Sequence, residues 1–348
     1  MNRLIRLSLA ILAVAVLAAC GAPATTSAPS AAPSSAPAAA DESAASATTS
    51  GAAFPRTIKH VRGELTVPRA PERIVSLDWL YTEEVLALGM QPVGAPDIAN
   101  YTLWVKTPTA LDASVADVGL RGEPNLETIA ALKPDLILAL APDNEPRYAE
   151  LSAIAPTLLL NPFEPANGAN QYNTMRASFL TVAQALGRDA EGEAVLAQLD
   201  QRLADMATQI EQAGFKDQPF VVAQAYSSDN AAQVRLFNQD AMATQVVEQL
   251  GLKCAWSQAD QDVAVWGFSA VSAEVLPQLG QAHFFYVVQD NDNVFASAAV
   301  KPLWDSLPFV KAGRAHPIGG DAWFFGGPLS AELIAAKATQ ALLKASGG

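Results

Sequence analysis

Apolar positions along the chain change their spacing repeatedly, and the changes outline alternating strands and helices. Arg73-Ile-Val-Ser-Leu77 is a short apolar run after a Pro-rich lead-in and predicts a strand. Thr82 to Leu88 then repeats apolar residues at helical spacing and stops at Gly89, and Pro92-Val-Gly-Ala95 is the next strand candidate. The stretch Ala116 to Leu140 is denser. Gly119 and Gly122 bracket Arg121 in a turn, Asn125 is a good helix N-cap, Glu127 lies where the helix dipole favours an acid, and Pro134 ends the helix. Leu136 to Leu140 is apolar at every position, as expected of a parallel strand covered on both faces. Leu158–Leu160 predicts another strand and 172–186 another helix, so the order β-α-β, loop, α-β describes a parallel α/β sheet.

The second half echoes the first. Asp78, Thr82, Val85, Leu88 and Gly89 recur in order as Asp240, Thr244, Val247, Leu250 and Gly251. Likewise Asn125, Glu127 and Leu132 recur as Ser272, Glu274 and Leu279, followed by the apolar strand His283 to Val288. Two matches in one order argue for two lobes of one architecture. Between them, Leu196, Leu199, Leu203, Met206 and Ile210 mark one amphipathic helix closed by Gly214. Its amphipathic stretch of about 22 residues is about 33 Å long at the α-helical rise, enough to bridge two lobes rigidly. The expected domains are therefore an N-terminal α/β lobe over 54–188, an interdomain helix over 189–213 and a C-terminal α/β lobe over 214–348.

The N-terminus adds a different kind of segment. Arg3 and Arg6 precede an apolar stretch too short to span a bilayer, and Leu17-Ala-Ala-Cys20 follows. This pattern predicts a signal peptide over 1–19, and its ending resembles a bacterial lipobox that would make Cys20 a lipidated first residue. Residues 20–53 are almost wholly Ala, Ser, Thr, Pro and Gly and read as a tether holding a domain away from a membrane. The formal net charge of −13, made more negative if Arg3 and Arg6 are removed, excludes nucleic acid as a favoured partner. Cys254 is the only cysteine besides Cys20, which leaves no disulfide framework and suits a small buried hydrophobe.

Candidate chemistry lies in aromatic loops. Trp79 follows the first strand, Trp104 precedes the Arg121 turn, Trp266 follows a Val-Ala-Val run, and Trp323-Phe324-Phe325 sits between glycine-rich turns. Ligands of parallel α/β sheets bind outside the carboxyl ends of strands, so these residues are candidates for a pocket wall with Arg121 as its cation. Trp256 and Trp304 look structural. No nucleophile elbow, phosphate-binding loop, C-x-x-C or H-E-x-x-H is present, and His60, His283 and His316 are far apart in sequence. No catalytic residue and no protein-held metal is therefore expected. Glu127 and Glu274 occupy equivalent first-turn positions; dipole compensation accounts for either alone, and their symmetry also suits paired docking charges.

Taken together, residues 67–345 resemble the substrate-binding proteins of ATP-driven iron-siderophore importers, and most closely the ferric-hydroxamate (ferrichrome) binders. The matching text includes Ser76-Leu-Asp-Trp-Leu80, Glu84-Val-Leu-Ala-Leu-Gly89, Ala99-Asn-Tyr-Thr-Leu-Trp104, Asp117-Val-Gly-Leu-Arg-Gly-Glu-Pro-Asn-Leu-Glu127, Trp266-Gly-Phe-Ser-Ala-Val271, Leu307-Pro-Phe-Val-Lys-Ala-Gly-Arg314 and Ala322-Trp-Phe-Phe-Gly-Gly-Pro-Leu-Ser-Ala331. The resemblance implies the class III, helical-backbone periplasmic binding protein fold: two parallel-sheet α/β lobes, one long interdomain helix and a shallow cleft. It implies that Arg121 hydrogen-bonds hydroxamate oxygens, that Trp79, Trp104, Trp266, Trp323, Phe324 and Phe325 form aromatic pocket positions, and that Glu127 and Glu274 engage arginines of a membrane ABC permease and its ATPase. A monomer without a cofactor, lipid-anchored outside the cytoplasm, with an Fe(III)-siderophore as ligand, is what the family leads one to expect. Three hydroxamates neutralise Fe(III), so one Arg and apolar walls suffice, whereas anionic catecholate or citrate complexes would require several loop cations; none besides Arg121 is evident. One departure concerns the tyrosine that ferrichrome binders carry soon after the Lys-Pro strand. Here Asp143 or Asn144 is nearest that position, and Tyr148 lies further along. Binding of cobalamin, haem, a catecholate or citrate siderophore on the same fold, or a secreted siderophore hydrolase, remain the alternatives.

Overall fold

A computed structural model describes residues 53–163, 170–228, 231–256 and 265–346. The expected signal peptide (1–19), Cys20 and nearly all of the tether (20–53) lie outside the described residues.

The described residues open with an antiparallel hairpin, β1 (Arg56–His60) and β2 (Gly63–Val67), which the apolar pattern did not flag. Then follow β3 (Ile74–Ser76), α1 (Trp79–Ala87), β4 (Gly94–Ala95), α2 (Ile98–Trp104), β5 (Ala116–Asp117), α3 (Leu126–Ala131), β6 (Leu136–Leu140), α4 (Ala141–Asn144), α5 (Tyr148–Ile154) and β7 (Thr157–Leu160). The five strands β5-β4-β3-β6-β7 form one sheet, and every pairing in it is parallel. Asn125 and Gly89 set boundaries as expected, whereas α1 begins at Trp79, three residues before the helix expected over Thr82 to Leu88. Asp78 and Asn125 accept hydrogen bonds from the amides of Leu80 and Thr128 as N-caps of α1 and α3, and Gly89 takes a left-handed φ of 74° after α1.

Two helices lead into the second lobe, α6 (Gln171–Leu186) and α7 (Asp189–Gln212). α7 buries Leu196, Leu199, Leu203 and Ile210, the stripe read from the sequence. Beyond it lie β8 (Pro219–Ser228), β9 (Ala231–Phe237), α8 (Met242–Gln249), β10 (Lys253–Cys254), β11 (Phe268–Val271), β12 (His283–Val287), α9 (Lys301–Ser306), α10 (Pro308–Lys311), β13 (Ala315–Pro317) and α11 (Pro328–Ser346). β10 and β12 pair with β8, and β13 with β12, all in parallel, while β9 and β11 extend the same sheet antiparallel. The second lobe thus has a parallel core with an antiparallel edge that the sequence reading lacked. The echo of α3 is also altered: Ala273–Leu279 is a 3-10 helix containing Pro277, and the Ser272 hydroxyl bonds the Glu274 carboxylate instead of capping a backbone amide.

Alternation along the strands divides the interior into three cores. Leu136, Leu138 and Leu140 join a central core, whereas Ile137 and Ala139 face the outer core of the first lobe. In the second lobe Phe220, Val222, Phe285 and Val287 join that same central core, and Val221, Ala223, Phe284 and Tyr286 face the opposite way. The central core, which also holds residues of α1, α6, α7, α8 and α11, is therefore shared by both lobes. Helix α7 is not the sole joint; it packs on α6 and α11, and Arg202 of α7 pairs with Glu332 of α11.

A buried carboxylate crosses this shared layer. Glu83 of α1 accepts hydrogen bonds from the backbone and hydroxyl of Ser330 at 2.7 and 2.5 Å, and the Gly327 and Leu329 amides also face it. It thereby satisfies the free N–H groups at the start of α11, where Pro328 at the first turn needs no partner. Burial raises the Glu83 pKa, and these bonds counter the rise. Its neighbour Glu84 has both carboxyl oxygens buried without a partner among the described residues; burial, then the nearby Glu83 and Asp78, push its pKa well above the usual carboxylate range.

The sequence separation of the histidines is misleading as well. β12 and β13 are adjacent parallel strands, so His283 Nδ1 lies 2.8 Å from His316 Nε2, and Gln218 bonds the other nitrogen of His283. Burial lowers both pKa values to about 4, and for His283 the charge of its partner acts in the same direction.

Gly326 and Gly327 leave the space that Glu83 occupies. A Cβ at Gly326 would collide with Ser330 Oγ and lie 2.5 Å from Glu83 Oε2. Gly326→Ala is accordingly expected to destabilise the protein by about 2–3 kcal/mol, through overpacking and weakened capping bonds. Gly122→Ala, where a Cβ meets nothing within 4 Å, is expected to stay within about 0.5 kcal/mol. Urea denaturation of the two variants checks this; equal costs would contradict it.

Candidate functional site

A cleft of about 400 Å³ opens where strand ends of both lobes meet. From the first lobe come Asp78 after β3, Asp97 after β4, Leu120-Arg121-Gly122 after β5, Asp143 after β6 and Phe163 after β7. All five follow carboxyl ends of parallel strands, the position where such sheets bind ligands. The second lobe supplies Arg235 of β9, Trp266, Phe268 of β11, Trp323 and Phe325.

The turn that carries Arg121 is fixed by its own backbone. Gly119 has a φ of 93°, its N–H donates to Asp117 Oδ1, its carbonyl accepts from Asp97 N, and Asn125 N donates to Val118 O at 2.7 Å. The Arg147 guanidinium donates to Gly122 O. Held there, the Arg121 guanidinium lies 4.1 Å from the Trp79 ring centre and 5.5 Å from that of Trp323. Asp78 Oδ2 is 3.8 Å from it. Burial pushes the Asp78 pKa up to about 6, against the opposing pull of Arg121 and of the Leu80 amide.

The opposite wall is aromatic. Trp266, Phe163, Phe268 and Trp323 all lie within 6.1 Å, centre to centre, of the Phe325 ring, in edge-to-face contacts. Gln171 at the start of α6 organises the two loops that bring Phe163 and Trp266. Its side chain donates to Phe163 O and Val265 O and accepts from Met242 N. Gly267, with φ 77°, passes so close that a Cβ would be 2.9 Å from the Gln171 amide.

Of the residues singled out in the sequence, Arg121, Trp266, Trp323 and Phe325 line the cleft. Trp79 does not reach it directly: it is 3% exposed, donates to Pro96 O and forms the floor under Arg121. Trp104 packs behind Trp323 at 6.2 Å. Phe324 points away and fills the core against Phe237 at 5.0 Å, because Trp323 and Phe325 take the two directions open to the cleft. Glu127 and Glu274 are exposed and are not part of the cleft lining.

The expectation of a single cation is corrected. Arg235 also lines the cleft, with its guanidinium 4.5 Å from the Phe268 ring and donating to Gln224 Oε1. Burial lowers its pKa. It sits on a strand and not in a loop; the available signal was one Arg amid Val234-Arg-Leu-Phe237, on the face opposite the buried Val234 and Leu236. Asp143 lines the cleft at the place where the family tyrosine was expected. Asn144 is buried and donates to Leu140 O, and Tyr148 packs on His60 and Arg62 instead.

Two α/β lobes with a shared helical layer and an aromatic cleft at their strand ends define a binding protein of the class III type. The chain belongs to the periplasmic binding protein family, whose sequence pattern matches residues 74–315. It is 31% identical to the iron(3+)-hydroxamate-binding protein FhuD of Escherichia coli over 261 residues, which is 75% of this chain and 83% of that one. It is 29% identical to the Fe(3+)-citrate-binding protein YfmC of Bacillus subtilis over 77% of this chain and 79% of that one. Among solved structures, the Fe3+-Desferal-bound FhuD of Vibrio cholerae superposes with a TM-score of 0.68 at 33% identity, covering 78% of this chain and 98% of that one.

The raised pKa of Asp78 has a checkable consequence. Its unfolded value is near 3.8 and its folded value about 6, so the ionised side chain in the fold costs stability as pH rises through that window. Asp78→Asn keeps an acceptor for the Leu80 amide and removes the charge. Relative to the native protein it is expected to gain about 2 kcal/mol between pH 4 and pH 7. Denaturant melts at the two pH values measure this, and a pH-independent difference would contradict it.

Proposed function

We propose that this protein is an extracytoplasmic receptor that binds Fe(III)-siderophores of the hydroxamate type and passes them unchanged to a membrane ABC permease with its ATPase. The observation that carries this reading is the cleft itself: one wall of Trp266, Phe268, Trp323 and Phe325, with Arg121 braced by Asp78 and stacked on Trp79. A tris-hydroxamate iron centre is neutral. Arg121 can donate to its exposed oxygens, and the rings can cover the aliphatic chain. Arg235 adds a second cation, but Asp78, Asp97 and Asp143 outnumber the two guanidiniums, which disfavours the anionic iron complexes of citrates and catecholates. The hydroxamate-binding relatives support the same choice. In this reading Trp79, Trp104 and Phe324 shape the wall from behind, and iron is held by the siderophore.

Tryptophan emission reports ligand entry, since Trp266 and Trp323 face the cleft. Ferrichrome or ferrioxamine B at micromolar concentration is expected to quench it, with ferric dicitrate, haem and cyanocobalamin giving little change. Arg121→Ala is expected to weaken hydroxamate binding about tenfold, the loss of a charge-assisted pair of hydrogen bonds. Emission unchanged by every hydroxamate would defeat the assignment.

Delivery adds two sites. Glu127 in the first turn of α3 and Glu274 in the 3-10 helix are exposed and form no ion pair among the described residues, a state suited to docking on permease arginines. A lipid on Cys20 and the tether to residue 53 would keep a monomeric receptor at the membrane surface. Replacing Glu127 and Glu274 together by Ala is expected to leave ligand affinity within twofold and to reduce siderophore-dependent uptake at least tenfold. Undiminished uptake would return both residues to a helix-end role.

A further inference from the structure

The cleft carries one charge that its own structure does not use. Of its three carboxylates, Asp78 caps α1 and faces Arg121, and Asp97 accepts from the Asn100 side-chain amide with both carboxylate oxygens while its main-chain N–H donates to Gly119 O. Arg235 is occupied by Gln224 and stacks on Phe268 and Tyr226. Asp143 has no hydrogen bond or ion pair among the described residues, although it is half-buried in the cleft lining and Arg121 is close enough to act on it through space. Its position is rigid: it lies in α4, one turn after β6, whose five residues are all buried, and the next side chain, Asn144, is pinned to Leu140 O. A half-desolvated carboxylate without a partner is costly in the empty cleft and becomes favourable when a ligand brings a cation to it.

We infer that Asp143 selects, among ferric hydroxamates, those bearing a free ammonium group, and forms the ion pair with it at the cleft wall. This rests on the hydroxamate reading above. The iron centre of such a ligand is neutral and can lie between Arg121 and the aromatic wall, while the single positive charge on its amine arm answers the one carboxylate in excess of the guanidiniums. The same carboxylate disfavours ligands with an acidic arm. The burial that raises the Asp143 pKa is consistent with a side chain awaiting a counter-charge.

Ferrioxamine B and its N-acetylated form test this directly, because they share the iron centre and chain and differ in the ammonium. Tryptophan quenching or calorimetry with the full chain is expected to show that acetylation weakens binding to the native protein about tenfold, and that Asp143→Asn reduces the difference to less than twofold. Asp143→Glu, which restores the charge, is expected to recover part of it. Equal native affinities for the two complexes would overturn the inference and leave the hydroxamate assignment intact. Failure of both complexes to bind would overturn the assignment, and the inference with it. A difference that persists in a folded Asp143→Asn protein would move the selection to another residue and overturn the role given to Asp143.

Discussion

The Glu83 carboxylate at the start of α11 is the contact on which the geometry of the cleft depends. It comes from α1 of the first lobe, little more than a turn beyond Asp78 and Trp79, and it terminates on the helix that begins directly after Trp323-Phe-Phe325. One buried acid thus relates the cation side of the cleft to its aromatic side. The cost of burying it is offset by several amide and hydroxyl donors and by the helix dipole, and it is possible only because Gly326 and Gly327 lack side chains. Opening the lobes widely would strip those donors from the carboxylate and split the central core to which both sheets contribute. Small adjustments of the cleft loops are therefore favoured over a large hinge.

The electrostatics of the cleft follow from the same compactness. Two guanidiniums and three carboxylates lie in a space walled by rings, and most of them are committed to partners within the protein. Arg121 is not a free cation waiting for an anion; it is stacked, paired and fixed by a glycine turn. Such a group offers directed hydrogen bonds with little net charge, which suits a ligand whose metal centre is already neutralised by its own oxygens.

Much of this was legible in the chain because it is local. The N-cap Asn125, the stop at Gly89, the all-apolar β6 and the stripe of α7 are consequences of residues a few positions apart, and the Asp78 cap, local as well, was passed over with the first turn of α1. The aromatic loops, too, could be placed by the strands they follow. What escaped is set by pairing between distant segments. Arg235 reaches the cleft only because β9 runs antiparallel to β8 and presents alternate residues to it. His283 and His316 meet only because β12 and β13 are neighbours. Phe324 looked equivalent to Trp323 and Phe325, and the direction of a single side chain within a turn separated it from them. Gln171, which fastens the Phe163 and Trp266 loops, carries no pattern of its own. Pro277 was a signal that the repeat reading did not use, and its effect on the echo of α3 follows from its missing N–H.

On the function proposed here the iron complex sits whole in this cleft, between the Arg121 turn and the Trp266–Phe325 wall, with no iron ligand from the protein. Crystals grown with a ferric trihydroxamate and measured at the iron absorption edge locate the metal directly. A single anomalous peak is expected inside the cleft, with all six coordinating oxygens belonging to the siderophore and Arg121 within hydrogen-bonding distance of one of them. Iron found outside the cleft, or coordinated by a protein side chain, would contradict it.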